Sequence, residues 1–292
     1  MSSQPSTAAA AAGVREISIA HSPDSDDAFM FYGLATNKVR VPGYRFSHTL
    51  CDIETLNRKA QNEAFYDVTA ISFHAYPYLQ ENYALMGCGG SVGEGYGPMV
   101  VSSKKLKPED LGSIRVAVPG TLTTAFLAFK VFNPDIQTEV VPFDQIIPAI
   151  RAGKFDAGLI IHEGQLTYKQ LDLHLVVDLG VWWHEQTGLP LPLGGNCIRK
   201  DLGLKVMQEV TDILKRSIQF SLDHRKEAVE YALQFGRDLD RNLADRFVGM
   251  YVNEWTLDYG LRGREAITAL LTRGAAAGLV PGVKEIEFVT AK

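Results

Sequence analysis

Cysteine is scarce. Cys51, Cys88 and Cys197 are the only three in 292 residues, and their odd number and wide spacing argue against a disulfide framework or a metal site. They read as buried thiols suited to a reducing cytoplasm. Long apolar runs are missing too, so no segment reads as membrane-spanning. There is no basic tract or Arg/Lys stripe, and with 29 Lys and Arg against 34 Asp and Glu the net charge is -5, which argues against a nucleic-acid partner. Met1 to Gly13 is rich in Ser and Ala, without a basic n-region or a Leu/Val h-region, and reads as a frayed tail rather than a signal peptide. What is present is ordinary for a globular protein. At 46% hydrophobic and 22% charged residues, the chain can build a core, and its length allows two domains or one core interrupted by another.

One pattern recurs: a short apolar run, a polar turn, then a helix start. Ile17 to Ala20 leads through Ser22-Pro23-Asp24-Ser25-Asp26-Asp27 into Ala28 to Tyr32. Val68 to Ile71 leads into Ser72-Phe73-His74, Ile114 to Val118 into Thr123-Thr124-Ala125, and Ala157 to Ile161 into His162-Glu163-Gly164. Repeated strand-to-helix turns predict an α/β fold with parallel strands, whose ligands sit beyond the strands' carboxyl ends. The glycine-rich Gly87 to Pro98 lacks both the dinucleotide fingerprint and a Walker ending. It reads as a crossover into a strand at Met99 to Ser102. Pro190 to Asn196 reads as a second switch before a helical tail. That tail carries helical spacing at Val206, Val210, Ile213, Leu214, Ile218 and Leu222, then at Leu239, Leu243, Phe247 and Met250, then at Ile267, Leu270 and Leu271. Ile286 to Val289 reads as an edge strand. The expected layout is a tail at 1–13, a discontinuous first lobe at 14–102 and 194–292, and a second lobe at 103–193. Two crossovers between lobes predict a hinged cleft with a helical C-terminal return.

Four turns then converge on that cleft. They carry Ser22 and Asp24, Ser72, the pair Thr123 and Thr124, and His162 with Glu163. Hydroxyls at helix starts, beside unpaired backbone N–H groups, can clamp a carboxylate or phosphate, and they can equally be plain N-caps. His162 ends a run apolar enough to be a central strand. Its imidazole can serve as a base oriented by Glu163, or it can be structural. His21, His74 and His184 are weaker candidates for the same chemistry. Asp24, Asp26 and Asp27 could invite a hard cation, but a capped turn explains them as well, and no His or Cys pair has ligand spacing; no metal is expected. Trp182-Trp183 could line an aromatic ligand site or belong to the core.

Longer motifs carry a family resemblance. Gly158-Leu159-Ile160-Ile161-His162-Glu163, Asp178-Leu179-Gly180-Val181-Trp182-Trp183 and Thr187-Gly188-Leu189-Pro190-Leu191-Pro192-Leu193-Gly194 resemble the 1,4-dihydroxy-6-naphthoate synthase family of the futalosine route to menaquinone. Asp52 to Asn57, Val116 to Gly120 with Thr123-Thr124-Ala125, and Tyr251-Val252-Asn253 match as well, in collinear order from about Ile17 to Val289. The resemblance implies a two-lobed type II periplasmic-binding-protein-like fold in a cytoplasmic enzyme. It implies a cofactor-free lyase that splits cyclic dehypoxanthinyl futalosine, a small-molecule carboxylate. It implies His162 as proton acceptor, with Ser72, Thr123 and Thr124 as substrate-binding groups.

The chain also departs from that family. The first turn commonly reads Ser-Pro-Cys-Pro-Asn-Asp where this chain has Ser22-Pro23-Asp24-Ser25-Asp26-Asp27, and Ala70 stands where some members carry a lysine. Added carboxylates and a lost cation beside an anionic substrate call for another donor. Two other functions fit the same fold: a non-catalytic solute-binding protein for a small carboxylate, and a related lyase such as chorismate dehydratase. The sequence carries no signal for an oligomeric state.

Overall fold

A computed structural model of the chain describes residues 13–235, 240–283 and 285–291. Most of the expected tail, Met1 to Ala12, and Leu239 of the second helical set lie outside the described residues.

The first unit forms as its residues dictate. Ile17, Ile19 and Ala20 are buried in β1 (Arg15–His21), Asp24 takes the extended N-cap conformation, and α1 (Ser25–Ala35) follows. Phe29, Met30, Phe31 and Leu34 are all buried, so α1 is a core helix covered on several faces rather than a surface one. Next come β2 (Tyr44–Leu50) and α2 (Ile53–Glu63), whose N-cap Asp52 accepts from the Thr55 N–H. They are followed by the wholly buried β3 (Val68–Ser72), α3 (Tyr76–Leu79), β4 (Tyr83–Met86) and β5 (Ser91–Gly93).

The chain then crosses over. It runs through β6 (Met99–Ser102), β7 (Arg115–Val118), α4 (Thr124–Phe132), β8 (Gln137–Val140) and α5 (Ile146–Arg151). It continues as β9 (Ala157–Ile160), α6 (Gly164–Thr167), β10 (His174–Asp178) and α7 (Leu179–Thr187). It returns in β11 (Leu191–Arg199) and ends in α8 (Leu204–Asp223), α9 (Arg225–Leu233), α10 (Arg241–Tyr251), α11 (Glu254–Leu257), α12 (Gly260–Ala276) and the edge strand β12 (Phe288–Val289).

A seven-stranded sheet has the order β12-β4-β11-β3-β1-β2 with β5 also on β11, and a five-stranded sheet has the order β10-β6-β9-β7-β8. Each sheet repeats one plan. The first strand of the unit lies between the second and third, parallel to both, and the next place belongs to a strand arriving from the other sheet, antiparallel: β11 in one and β6 in the other. One apolar core runs from Ile71, Phe73 and Leu85 of the first sheet to Val116, Leu159 and Trp183 of the second. Another packs α1, α8 and α9 on the first sheet through Phe29, Phe31, Ile213, Ile218 and Val229. No helix among the described residues is long and apolar enough to cross a membrane.

Two expectations from sequence shift. Met99–Ser102 pairs with β9 and β10, so it belongs with the second sheet rather than with 14–102. Pro190 to Asn196 is not a bare switch: Leu191 begins a nine-residue strand whose Leu191 and Pro192 face Gly93 and Val92, and whose later residues pair with β3 and β4. Hydrogen-bond partners decide sheet membership, and they move the crossings to about residues 94–98 and 188–190. The first crossing packs against the start of α7. A side chain on Gly180 would meet the Tyr96 carbonyl at 2.0 Å and the Gly97 nitrogen at 2.4 Å, so glycine is required where α7 begins.

Candidate functional site between the two sheets

The carboxyl ends of β1, β3, β7 and β9 open onto a cavity of about 750 Å³, counted with its open mouth. Ser22, Asp24, Ser72, Thr123 and Thr124 line it, together with Asp26, Asp27, Ser91, Gln165 and Tyr251. The structure thus brings together five of the six site residues expected from sequence. His162 stands at the rim: its neighbours Ile161 and Gln165 line the cavity and it does not. Its Nδ1 accepts the Gly164 N–H at 3.0 Å, and its ring meets Phe143 edge-on at a centroid distance of 6.0 Å. A neutral imidazole that accepts at Nδ1 carries its proton on Nε2. Its one lone pair is therefore spent on Gly164 in this arrangement.

The hydroxyls differ in what they have left to give. Thr123 caps α4: its Oγ1 accepts from the Phe126 N–H at 3.2 Å and donates to the Gly120 carbonyl at 3.1 Å, so its proton is used. The Thr124 Oγ1 accepts the His74 N–H at 3.2 Å, the Ser72 Oγ accepts an amide proton from Asn57 at 3.1 Å, and the Ser22 Oγ accepts the Asp24 N–H at 3.1 Å. Each of these three oxygens is supplied with a donor, which in Ser72 and Thr124 leaves the hydroxyl's own proton for a ligand, whereas the Ser22 hydroxyl already serves the neighbouring Asp24 and Asp27 carboxyls.

Four carboxylates crowd the other side. Ser91 donates to Asp26 at 2.9 Å, the Ser22 N–H to Asp27 at 2.9 Å, and Ser25 to Glu163 at 3.0 Å. Burial drives the Asp24 carboxyl well above its usual range, and the charges of Asp26, Glu163 and Asp27 add to it. Burial likewise raises Asp26, against the Ser91 hydrogen bond, and lifts Asp27 to about 7 with help from Asp26. Like charges in a desolvated cleft share protons rather than all ionise. The extra carboxylates of the first turn are thereby partly neutral, which eases their conflict with an anionic ligand.

Several hydrogen bonds cross the cleft. The Glu54 carboxylate accepts the Leu122 N–H at 3.1 Å, Arg58 donates to Thr121 at 2.7 Å, and Tyr251 donates to Gln165 at 2.7 Å. Asn57, Ser91, Gln165 and Tyr251 were not singled out from sequence as site residues. Asn57 and Tyr251 sit in quoted motifs, but nothing local marks them, because their partners lie 15 to 86 positions away. Trp183 belongs to the core: it is fully buried and donates to the Pro190 carbonyl, and neither Trp182 nor Trp183 lines the cavity. His21 stacks on Phe31 at 4.3 Å and His74 lies parallel to Phe126 at 6.2 Å, and burial holds both rings below the usual histidine pKa.

The chain is similar to known proteins over most of its length. The family described as menaquinone biosynthesis matches residues 17–276. A 1,4-dihydroxy-6-naphtoate synthase from Streptomyces coelicolor is 38% identical over 274 residues, 91% of this chain and 95% of that one. A crystal structure of an Archaeoglobus fulgidus protein is 46% identical, with a TM-score of 0.87 over 91% of this chain and 98% of that one. A Candida albicans gene product described as having the generic periplasmic-binding-protein fold is 11% identical, with a TM-score of 0.68 over 94% of this chain and 93% of that one, a likeness of fold alone. The α/β architecture with two sheets about a cleft is that fold, and on the match across most of its length the chain belongs to the menaquinone biosynthesis family.

Proposed function

We propose that the chain is a 1,4-dihydroxy-6-naphthoate synthase, a carbon–carbon lyase of the futalosine pathway that cleaves cyclic dehypoxanthinyl futalosine in the cytoplasm. The observation that carries the reading is the cavity itself, where the hydroxyls of Ser72 and Thr124 face a cluster of proton-sharing carboxyls at the ends of four strands. The relative from Streptomyces coelicolor bears the same activity in its name.

The chemistry needed is a proton transfer and a place for negative charge. His162 takes the proton of a substrate hydroxyl, a carbonyl forms at that carbon, and the adjacent carbon–carbon bond breaks. The released electron pair passes into the ring system that becomes dihydroxynaphthoate. Ser72 and Thr124 donate to the substrate's carboxylate and to the developing oxyanion, in the role a lysine at position 70 would otherwise share. Thr123 orients the α4 N-terminus behind them. Ser22 and Asp24 hold the hydroxyl-bearing part of the substrate. For His162 to act, its ring leaves the Gly164 N–H as substrate arrives, because that contact occupies the lone pair.

Purified protein is incubated with cyclic dehypoxanthinyl futalosine and dihydroxynaphthoate release is followed, beside His162→Ala. The expected result is turnover in the wild type and a loss of at least about a hundredfold in the variant, the size typical of a general base. Turnover that survives the substitution removes His162 from the role. No turnover, with tight binding of a small carboxylate, would make the chain a binding protein.

A further inference from the structure

Asn57 lies on α2 and is fully buried, yet it makes three hydrogen bonds. Its Oδ1 accepts the Ser72 N–H at 2.8 Å, and its Nδ2 donates to the Ser72 Oγ at 3.1 Å and to the Leu122 carbonyl at 3.2 Å. The amide cannot be turned over. A backbone N–H can only donate and a backbone carbonyl can only accept, so both ends of the side chain are fixed independently. Ser72 and Asn57 belong to the first sheet and its helix, whereas Leu122 sits in the turn between β7 and α4 of the second. The two protons of one amide are thus divided between a cavity-lining serine and the opposite side of the cleft.

We infer that Asn57 is a positioning residue: it supplies the Ser72 oxygen with a proton, leaving the serine's own proton to donate to a bound anion, and it does so while tied to Leu122 across the cleft. The inference rests on the reading of Ser72 as a substrate-binding donor. Without the amide proton, the hydroxyl is free to turn its hydrogen onto a neighbouring acceptor and away from the ligand. A serine in place of Asn57 deletes the amide without burying a charge. An aspartate keeps an acceptor for the Ser72 N–H but places a second oxygen where the donor stood, drawing the hydroxyl proton to itself.

The experiment is a double-substitution cycle of Asn57→Ser and Ser72→Ala. It is read in KM and kcat for cyclic dehypoxanthinyl futalosine, and separately in the dissociation constant of 1,4-dihydroxy-6-naphthoate by calorimetry. Asn57→Ser is expected to raise KM and the dissociation constant about tenfold, the size of a hydrogen bond to a charged group, with a smaller change in kcat. In the Ser72→Ala background the same substitution is expected to add less than about twofold, because the group it orients is gone. Asn57→Asp is expected to be at least as damaging as Asn57→Ser. A purely structural role would weaken binding equally in both backgrounds and overturn the inference, as would Ser72→Ala leaving affinity unchanged. If Asn57→Ser does not fold, Asn57→Ala, which also deletes the amide without burying a charge, enters the cycle in its place with the same criteria. Absent turnover with a non-additive cycle in the dissociation constant would sink the proposed reaction and keep the role of Asn57; turnover with an additive cycle would do the reverse.

Discussion

Thr123 and Thr124 are neighbours with the same side chain and opposite circumstances. The Thr123 hydroxyl both accepts and donates within its own turn, whereas that of Thr124 accepts the His74 N–H and keeps its proton. Removing the cap is therefore a stability change, and removing the other hydroxyl a binding change. Thr123→Ala is expected to cost about 1 kcal/mol of unfolding free energy, typical of a lost N-cap, measured by urea denaturation. Thr124→Val preserves shape and is expected to raise KM several-fold more than Thr123→Ala does, in steady-state kinetics. Equal effects of both on KM would mean that the pair acts as one clamp. Sequence could place these hydroxyls at a helix start but could not divide the roles, because the partner that spends one proton, the Gly120 carbonyl, is a matter of turn geometry. His162 shows the same limit. Its place after a buried strand is legible in Gly158 to Ile161, but the Gly164 N–H that fills its lone pair is not.

At the scale of elements, the four strand-to-helix units were readable because each pairs a short buried run with a polar turn, although only Thr123 before α4 makes a side-chain cap bond and Asp24 before α1 makes none. β1 with α1 and β7 with α4 follow that pattern. β11 was not readable, since Pro190, Pro192 and the Gly194-Gly195 pair all signal a break in a local reading. The strand tolerates them through its partners: register shifts between Pro192 and Gly194 where β5 pairs with it, so the ladder gives way there and resumes against β3. β6 was found as a strand and placed in the wrong sheet for a related reason, as pairing across the chain leaves no mark in Met99 to Ser102. The crossings between sheets carry their own constraint. Gly180 opens α7 directly against the backbone of Tyr96 and Gly97, where nothing soft can yield. Gly180→Ala, which a helix would ordinarily welcome, is expected to destabilise by about 1–3 kcal/mol through overpacking, read from the midpoint of urea unfolding. A neutral or stabilising result would show that the first crossing and α7 can move apart without cost.

For the molecule as a whole, pH should act through two opposed sets of buried groups. Burial lowers His21 from its ordinary 6.5 to about 3 and His48 to about 4, with each ring edge-on to the other at 5.6 Å. The unfolded chain takes up protons below 6.5 that the folded chain refuses, so the stability these rings contribute is complete above 6.5 and drains as pH falls towards 4 and 3. Asp27 runs the other way. Held near 7 against an ordinary 3.8, it keeps a proton that the unfolded chain releases, so its contribution is complete below 3.8 and is lost as pH rises through 7; Asp24 and Asp26 are shifted in the same direction. Of these two sets, the histidines alone change the balance below 3.8 and the carboxyls alone above 6.5, so stability is expected to peak between those values. Asp201 and Asp258, held below the ordinary carboxylate range, add to the loss on the acid side. Unfolding free energy from urea titrations at half-unit steps from pH 4 to 8 should fall on the alkaline side of that peak. Asp27→Asn, which can still accept the Ser22 N–H, should flatten that fall, and His48→Phe, which keeps an aromatic ring beside Phe31, should flatten the acid side instead. A steady rise in stability up to pH 8 in the wild type would mean that the cleft carboxyls ionise freely, and that the space between the sheets is wetter than its closed hydrogen bonds imply.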